Sequence, residues 1–315
     1  MNIGYSDRQA RALRKYKGKK NNAFYLFVSP YFLIYVSFSL FPIIYTFYIS
    51  LTKWNGFDAP VFYGLKNYLD LFKDERFYNA LGNTLIFMLM IIPIQIALGM
   101  VIAFILSSKI TPAKNAFRLF NFLPYLTTPV ALGIIFGIMF DYQFGIINSI
   151  ITGLGIAREN INFMSRPWPA RIMVSFVGIW RYYGYTSILF LAGLTNINPE
   201  LYEAAEIDGV NSIQKITKIS IPLLKPVIIF VVLTTMIGCF QMFEEPFILF
   251  TVGSGPQMVG GPEYACLTGM WFLYDTAFGT MMRFGYGSSI AYGMFMFIAI
   301  LTLFTYRIMK WGERK

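Results

Sequence analysis

EAAEIDGVNSIQKITKISIP, the sequence of residues Glu203–Pro222, is a polar amphipathic insert between two long apolar runs. Glutamate and alanine favour a helix, whereas Gly209 breaks or kinks one. The sequence therefore predicts two short helices at an angle, lying flat outside the membrane. The adjacent Ala204 and Ala205 would leave a shallow, small-residue face that the backbone of another protein can approach closely. The alternative is an interfacial helix that merely connects two spans.

Composition indicates a membrane protein. Of 315 residues, 56% are hydrophobic and 13% are charged, and the mean hydropathy is +0.55, far from the balance of a soluble domain. An apolar run of 18 or more residues is a transmembrane candidate, because about 20 residues cross a hydrocarbon core of roughly 30 Å. The sequence predicts an all-α, polytopic protein with six such helices. They are Phe24–Leu51, Ala80–Ser107, Phe117–Asp141, Ala170–Leu194, Pro222–Phe250 and Tyr286–Met309.

The spans divide the chain into segments. We expect a cytoplasmic basic tail at 1–23, a first helix at 24–51, an outer loop at 52–79, a five-helix core at 80–309 with a cytoplasmic loop at 199–221, and a cytoplasmic tail at 310–315. The first run is too long for a signal-peptide core, and Thr52-Lys53-Trp54 is no small-residue cleavage site, so it should stay as a span. Prolines inside several runs indicate a cavity or moving parts.

Charge predicts the orientation of the spans. Seventeen of the 26 Lys and Arg residues fall on the side of the two termini, eight fall on the other side, and Arg181 lies within a span. Cytoplasmic loops carry the excess of basic residues. Both termini and the Glu203–Pro222 insert should therefore be cytoplasmic. Because the basic excess follows the membrane side, topology explains it and nucleic-acid binding is excluded.

Several chemistries are absent from the sequence. There is no histidine, and the two cysteines, Cys239 and Cys266, have no metal-ligand spacing. No G-x-x-x-x-G-K-[ST] phosphate loop and no nucleophile–base pattern occur. The sequence predicts no metal site, no catalytic residue and no cofactor in this chain. It is not an enzyme by itself and must take its energy from another polypeptide.

The order of Glu203-Ala204-Ala205, Asp208-Gly209, Ile219 and Pro222 closely resembles the EAA loop of bacterial ABC importer permeases. Other segments are similar to the carbohydrate permeases of this family, of the maltose and glycerol-3-phosphate type. They are Gly64–Tyr68, Leu191–Leu194, Gly253–Pro256 and Phe284–Ser288. The likeness extends roughly over residues 57–307. The sequence departs from the family at Ile221, at Pro246 and around Gly260-Gly261-Pro262.

The resemblance implies a type I, MetI-like permease fold. It also implies a heterodimer with a second homologous permease, two ATPase subunits that use ATP and Mg, and an extracellular solute-binding protein. The EAA loop would dock into the ATPase. The coupling residues carried over from the resemblance are Glu203, Ala204, Ala205, Asp208, Gly209, Ile219 and Pro222.

Arg181 lies about halfway along the predicted fourth span. A charge facing lipid at that depth costs at least about 2.5–3.5 kcal/mol, so Arg181 should face the bundle interior or a wet cavity. Glu244 and Glu245 lie in the outer half of the fifth span, and at least one should also face inward. Two roles are open for Arg181. It lines a substrate path, or it pairs with a carboxylate, here or on the partner permease, and only holds helices together.

Polar and aromatic residues lie near these charges. Sugars offer hydroxyl edges and apolar C–H faces, so amides, charges and flat rings would suit them together. Most Tyr and Phe residues should nevertheless be ordinary packing or interface residues. The substrate-path candidates are Arg181, Trp180, Tyr183, Asn121, Gln241, Glu244 and Glu245, with Thr127, Thr128, Tyr182 and Tyr185 nearby.

The sequence thus predicts a multi-pass permease subunit in the bacterial cytoplasmic membrane, within an ATP-driven importer of a sugar or oligosaccharide. Import of glycerol phosphate or another small polyol is the first alternative, since an anionic cargo would give Arg181 a role. An ion-coupled secondary transporter is a remote alternative, which would have no use for an EAA loop. The expected mechanism is alternating access, with small-molecule carbohydrate and the lipid bilayer as further partners.

Overall fold

The computed structural model describes residues 22–108, 113–251, 258–279 and 281–311. The described residues divide into two compact units, one that ends at Ile49 and one that begins at Ser50. The predicted basic tail lies outside the described residues up to residue 21. The motif Gly253–Pro256 and the last four residues of the C-terminal tail also lie outside them.

The first unit is built from an almost continuous helix. Its segments are α1 (Asn22–Tyr35), a π-helical turn (Val36–Leu40) and α2 (Phe41–Ser50). The stretch Tyr25–Ser50 is long and apolar enough to cross a membrane. It coincides, within one or two residues, with the first predicted span.

The second unit begins with a small hairpin that the all-α prediction did not include. Strands β1 (Thr52–Lys53) and β2 (Val61–Phe62) pair antiparallel. Helix α3 (Lys66–Leu71) follows, and its buried Asn67 donates to the carbonyl oxygens of Ser50 and Thr52, both at 2.8 Å. This side chain fixes the hairpin to the helix. The predicted loop 52–79 is therefore partly structured.

Helices make up most of the remaining unit. They are α4 (Glu75–Ser107), α5 (Lys114–Leu126), α6 (Pro129–Met139), α7 (Ile146–Gly153), α8 (Pro167–Thr195), α9 (Pro199–Ile207), α10 (Ser212–Lys215), a π-helical turn (Ile216–Ser220), α11 (Ile221–Leu223), α12 (Lys225–Gln241), α13 (Glu244–Thr251), a 3₁₀ turn (Pro262–Tyr264), α14 (Gly269–Phe278) and α15 (Phe284–Trp311).

Within the described residues, four helical stretches are long and apolar enough to span a membrane, or five if a bent pair counts as one span. The bent pair is α5 and α6, which meet at 93°. The predicted third span, Phe117–Asp141, falls on this bent pair, which is consistent with the breaks expected at internal prolines, and it stays a prediction. Thr127 and Thr128 are extended, because Pro129 disfavours a helical conformation in the residue before it. Pro129 instead starts α6, where its missing N–H costs nothing.

The predicted fourth span lies within α8, a helix of 29 residues. This helix is not among the four candidates, because Arg181 and the nearby tyrosines lower its hydropathy. The count of six spans is consistent with these helices and stays a prediction.

The hydrophobic core lies where α4 and α8 pack with α6, α12, α13, α14 and α15, and α5 packs against α8 beside it. Gln95 of α4 donates to the Thr186 hydroxyl of α8 at 2.7 Å, a buried polar contact. A Cβ at Gly184 would come within 1.7 Å of the Asn121 carbonyl oxygen, so the backbones of α5 and α8 touch there. Glycine is required for this close approach, which places the end of α5 against the middle of α8.

A partly buried segment, residues 258–268, follows α13. Arg171 of α8 donates to the Ala265 carbonyl at 3.1 Å and to the Asn83 side chain at 2.8 Å. Asn83 in turn donates to the carbonyl of Leu267 at 3.1 Å. Burial raises the pKa of the Cys266 thiol to about 12 despite the positive charge of Arg171. Cys239 and Cys266 are both free and buried.

Candidate functional site

Two helix breaks meet at the middle of α8. Helix α5 ends at Leu126, and α12 ends at Gln241 before α13 begins at Glu244. Met242, in the second break, has an extended backbone, which frees its carbonyl from the helix. The buried Thr268 hydroxyl donates to that carbonyl at 2.5 Å. The carbonyl group that the break frees is thus hydrogen-bonded, and the break is an ordered part of the fold.

Arg181 joins α8 to the start of α13. Its Nη1 atom lies 2.7 Å from Oε1 of Glu245 and 3.0 Å from Oε2 of Glu244. The guanidinium also lies over the Tyr182 ring, 5.4 Å from the centroid. The side chains of Arg181 and Glu245 are 12% and 5% exposed, whereas that of Glu244 is 52% exposed. Arg181 therefore has its carboxylate partners within this chain, and both predicted glutamates face it.

A cavity of about 540 Å³ opens beside this ion pair. Glu244 and Glu245 line it, and α4, α5, α8 and α12 supply the other polar side chains. These are Gln95, Tyr125, Tyr182, Tyr185, Thr234, Thr235 and Gln241. The walls thus combine carboxylates, amides, hydroxyls and flat rings.

Three tyrosines form the aromatic wall. Tyr125, one residue before the end of α5, stacks on Tyr185 with ring centroids 5.1 Å apart and an interplanar angle of 18°. Its ring meets the edge of Tyr182 at 5.8 Å. The wall therefore depends on the bend after α5, which brings Tyr125 to α8.

The structure brings together only some of the predicted substrate-path residues. Gln241, Glu244 and Glu245 line the cavity, with Arg181 bound to the glutamates. Trp180 instead packs edge-on against Phe136 at 5.1 Å. Asn121 is buried and donates to the Phe117 carbonyl in its own helix. Tyr183 is half-buried and is not part of the cavity wall.

Helical periodicity explains these placements. Gly178, Tyr182 and Tyr185 line the cavity and stand four and three residues apart, on one face of α8. Trp180 and Tyr183 lie on another face. This spacing could have been used to choose Tyr182 over Tyr183. Gln95, Tyr125, Thr234 and Thr235 come from other helices, so only the packing shows them.

The EAA-type segment forms the predicted pair of helices. Asn198 caps α9 by accepting from the Glu200 N–H at 3.1 Å. Asn211 and Gln214 form a reciprocal capping box at the start of α10. Gly209 lies between them with φ of +73°, a left-handed conformation that glycine adopts readily. The segment is thus a helix–turn–helix unit (Pro199–Leu223), hereafter called the coupling hairpin after the role that the sequence predicts for it.

Side chains connect the two arms of the coupling hairpin. The Tyr202 and Ser220 hydroxyl oxygens lie 2.9 Å apart. The Lys215 Nζ atom donates to Oε1 of Glu206 at 2.6 Å. Ser220 is buried, so its contact is shielded from water. The two arms are therefore held as one unit.

Exposure within the coupling hairpin differs from the prediction at one residue. Ala204 is exposed, but Ala205 is only 6% exposed, so the two alanines do not form one accessible face. A helix has 3.6 residues per turn, so successive side chains point about 100° apart, and only one of the two alanines lies on the exposed side. Ile207 and Ile213 are instead 88% and 73% exposed. Of the other predicted coupling residues, Glu203, Asp208, Gly209 and Pro222 are exposed and Ile219 is half-buried.

Within the described residues, no group of three or more Cys, Asp or Glu side chains could hold a metal ion. Discontinuous apolar helices around a polar cavity are typical of membrane transport proteins. A family model described as "Binding-protein-dependent transport system inner membrane component" matches residues 72–315. The chain belongs to this family, and the family predicted from the sequence is confirmed.

Relatives extend over nearly the whole chain. The lactose transport system permease protein LacF of Rhizobium radiobacter is 34% identical over 291 residues, which cover 92% of this chain and 94% of that protein. The arabinooligosaccharides transport system permease protein AraP of Bacillus subtilis (strain 168) is 34% identical over 290 residues, covering 92% and 89%. These relatives are transport components and not enzymes, as predicted for this chain.

Solved structures share the fold. A chain of a bacterial ABC transporter involved in the import of the acidic polysaccharide alginate matches with a TM-score of 0.72 at 23% identity, covering 94% of this chain and 98% of that chain. A bacterial alginate ABC transporter in complex with an alginate pentasaccharide-bound periplasmic protein matches with a TM-score of 0.74 at 21% identity, covering 94% and 99%. The predicted MetI-like permease fold is confirmed.

Proposed function

We propose that this chain is a permease subunit that forms the path for a sugar or oligosaccharide and is driven by separate ATPase subunits through the coupling hairpin. The coupling role is supported mainly by the exposure of Ile207 and Ile213. Both lie on a unit whose helices are capped and whose two arms are joined by side-chain hydrogen bonds. Large exposed apolar side chains on an ordered helical unit are typical of a docking surface. A connector between spans would have no use for them.

The cavity supports carbohydrate as the cargo. Flat tyrosine rings pack against the C–H faces of sugars, while Gln241 and Glu244 bind hydroxyl groups. LacF and AraP are named for the transport of lactose and of arabinooligosaccharides, which are uncharged sugars. Both lines favour the same cargo class for this chain.

The partners follow from this function. A second permease would complete the path, two ATPase subunits would bind ATP and Mg, and an extracellular binding protein would deliver the sugar. ATP binding would close the ATPase dimer, and the coupling hairpin would carry that motion to α12. Hinge or shear movement of packed helices then gives alternating access. The breaks at Thr127–Thr128 and Met242 are the places where spans can bend beside the cavity.

Replacing Ile207 by Asp is the test of the coupling role. We expect the ATPase subunits to be lost from the purified complex and ATP-driven uptake in proteoliposomes to fall at least about tenfold, because desolvating an unpaired carboxylate opposes docking. Uptake is measured with the sugar retained by the purified binding protein. Ile156→Asp, at a similarly exposed isoleucine outside the coupling hairpin, is the matched control and should behave as wild type. Normal assembly of the Ile207→Asp complex would show that the coupling hairpin does not dock into the ATPase subunits.

We further propose that both termini and the coupling hairpin are cytoplasmic, as the distribution of basic residues indicates. Single cysteines at Ser212 and Phe62, both exposed, report the two sides in a background lacking Cys239 and Cys266. An impermeant thiol reagent on intact, outer-wall-stripped cells should label the cysteine at 62 and label that at 212 only after permeabilisation. Labelling at 212 from outside would contradict the orientation.

A further inference from the structure

We propose that the cavity selects uncharged sugars and rejects anionic cargo, with Glu244 as the specificity-determining residue. The inference rests on the proposed function, since it concerns what that path admits. It also separates the two cargo classes that the sequence left open, because glycerol phosphate is an anion.

The positive charge of Arg181 is already neutralised. Its Nη1 atom binds Glu245 at 2.7 Å and Glu244 at 3.0 Å, and its side chain is only 12% exposed. Arg181 is not among the residues that line the cavity, whereas Glu244 and Glu245 are. A phosphate or carboxylate entering the cavity would therefore meet the two carboxylates and not the guanidinium. Arg181 supports the wall and is not the group that an entering anion would contact.

The sign of the remaining charge disfavours anions. One guanidinium faces two carboxylates, so the ionised cluster carries a net negative charge. If one glutamate were protonated, the cluster would be neutral. Neither state offers positive charge, and this chain's cavity wall contains no lysine or arginine within the described residues. Like charges brought together in a poorly hydrated site repel strongly, which is how a site rejects a wrong ligand.

The two glutamates also lie at a helix end that interacts favourably with negative charge. Glu244 and Glu245 stand in the first turn of α13, where the exposed N–H groups of a helix stabilise negative charge. Arg181 and the helix end therefore act on the carboxylates in the same direction.

The two glutamates have different roles. Glu245 is 5% exposed and serves as the buried counter-ion of Arg181. Glu244 is 52% exposed and lines the cavity. A carboxylate has about four acceptor positions, so Glu244 can hold Arg181 and still accept from a sugar hydroxyl. It attracts hydroxyl donors and repels anions with the same group.

The charge of the cavity can be measured without knowing the cargo. In the complete importer with Cys239 and Cys266 replaced by Ser, a reporter is placed by Thr234→Cys, at an exposed position of the cavity wall. Its reaction rates are measured with two methanethiosulfonates of similar size, the cationic trimethylammonium-ethyl and the anionic sulfonatoethyl reagent. Each rate is divided by the rate of the same reagent at Phe62→Cys, an exposed position on β2. This ratio corrects for the different intrinsic reactivities of the two reagents.

We expect the cationic reagent to be favoured roughly three- to tenfold at position 234, and Glu244→Gln to abolish most of this preference. Glu263→Gln, at an exposed glutamate that is not part of the cavity wall, should leave it unchanged. Equal rates, an anionic preference or no reaction at position 234 would overturn the cavity assignment. A preference that survives Glu244→Gln would overturn the role of Glu244.

A second measurement separates this inference from the proposed function. The ligand retained by the purified binding protein is identified by mass spectrometry and supplied to proteoliposomes. An uncharged sugar that accumulates with ATP supports both proposals. ATP-driven uptake of a ligand carrying carboxylate, sulfonate or phosphate overturns the charge selection and leaves the importer function standing. Loss of ATP dependence overturns the importer function, whatever the reagent preference.

Discussion

Arg181→Ala is expected to reduce sugar uptake at least about tenfold while the protein still inserts into the membrane. The substitution leaves Glu245, which is 5% exposed, without its cation. Removing one partner of a buried pair costs about 3–5 kcal/mol, because the remaining charge stays desolvated. Insertion itself becomes easier, since a mid-span charge is removed. Uptake should therefore be measured per amount of inserted protein, together with thermal unfolding in detergent.

Matched variants separate the charge from the geometry. Arg181→Lys keeps the charge but not the planar fork that reaches two carboxylates, so an intermediate uptake is expected. Arg158→Ala removes an exposed arginine for which the described residues show no ion pair and should transport as wild type. Normal uptake and an unchanged substrate range for Arg181→Ala would show that the ion pair contributes neither to the path nor to its shape.

A combined variant distinguishes a structural from a transport defect. Arg181→Ala with Glu244→Gln and Glu245→Gln removes the unpaired carboxylates that the single substitution leaves. Thermal unfolding should then return toward the wild-type temperature, because no charge remains buried alone. If uptake stays low while stability recovers, the charged groups themselves serve the transported sugar.

The sequence predicted those parts of the fold that depend on local chemistry. Gly209 and the residues around it follow helix and turn preferences, so the two arms of the coupling hairpin were placed correctly. The family was also predicted, because the EAA pattern has a fixed order. The burial of Ala205 was not predicted, since it depends on which side of α9 the second arm packs.

Only some of the cavity residues were predicted from the sequence, because the others depend on how distant helices pack. Arg181, Glu244 and Glu245 stand out as charges within apolar runs, and the cost of a charge in lipid predicted that they face inward, but not that they pair with one another. Tyr125 carries no such signal. It reaches the cavity because the chain bends by 93° after α5, and because Gly184 lets α5 approach α8 closely. Such contacts between distant residues cannot be derived from composition or periodicity.

Substitutions at Gly209 test the coupling hairpin by backbone geometry alone. Its φ is +73°, and nothing lies within 4 Å of a Cβ placed there, so side-chain clashes do not contribute. Asn tolerates left-handed conformations better than other residues, and Gly209→Asn should therefore transport nearly as wild type. Ala pays roughly 1–2 kcal/mol for this conformation, so Gly209→Ala should lose part of the uptake.

Gly209→Pro is expected to abolish ATP-driven uptake while the protein still reaches the membrane. Proline fixes φ near −65°, on the wrong side of the native value, and it removes the N–H that bonds to the Glu206 carbonyl at 3.1 Å. The two arms would then separate, breaking the Tyr202–Ser220 and Glu206–Lys215 contacts. Co-purification of the ATPase subunits and uptake in proteoliposomes give the readout, ranked Asn, Ala, Pro. Because a Cβ at position 209 would have no atom within 4 Å, the ranking follows backbone strain and, for proline, the lost hydrogen bond as well. Full assembly and uptake in Gly209→Pro would show that the importer does not need this turn. That result would contradict the coupling role of the coupling hairpin.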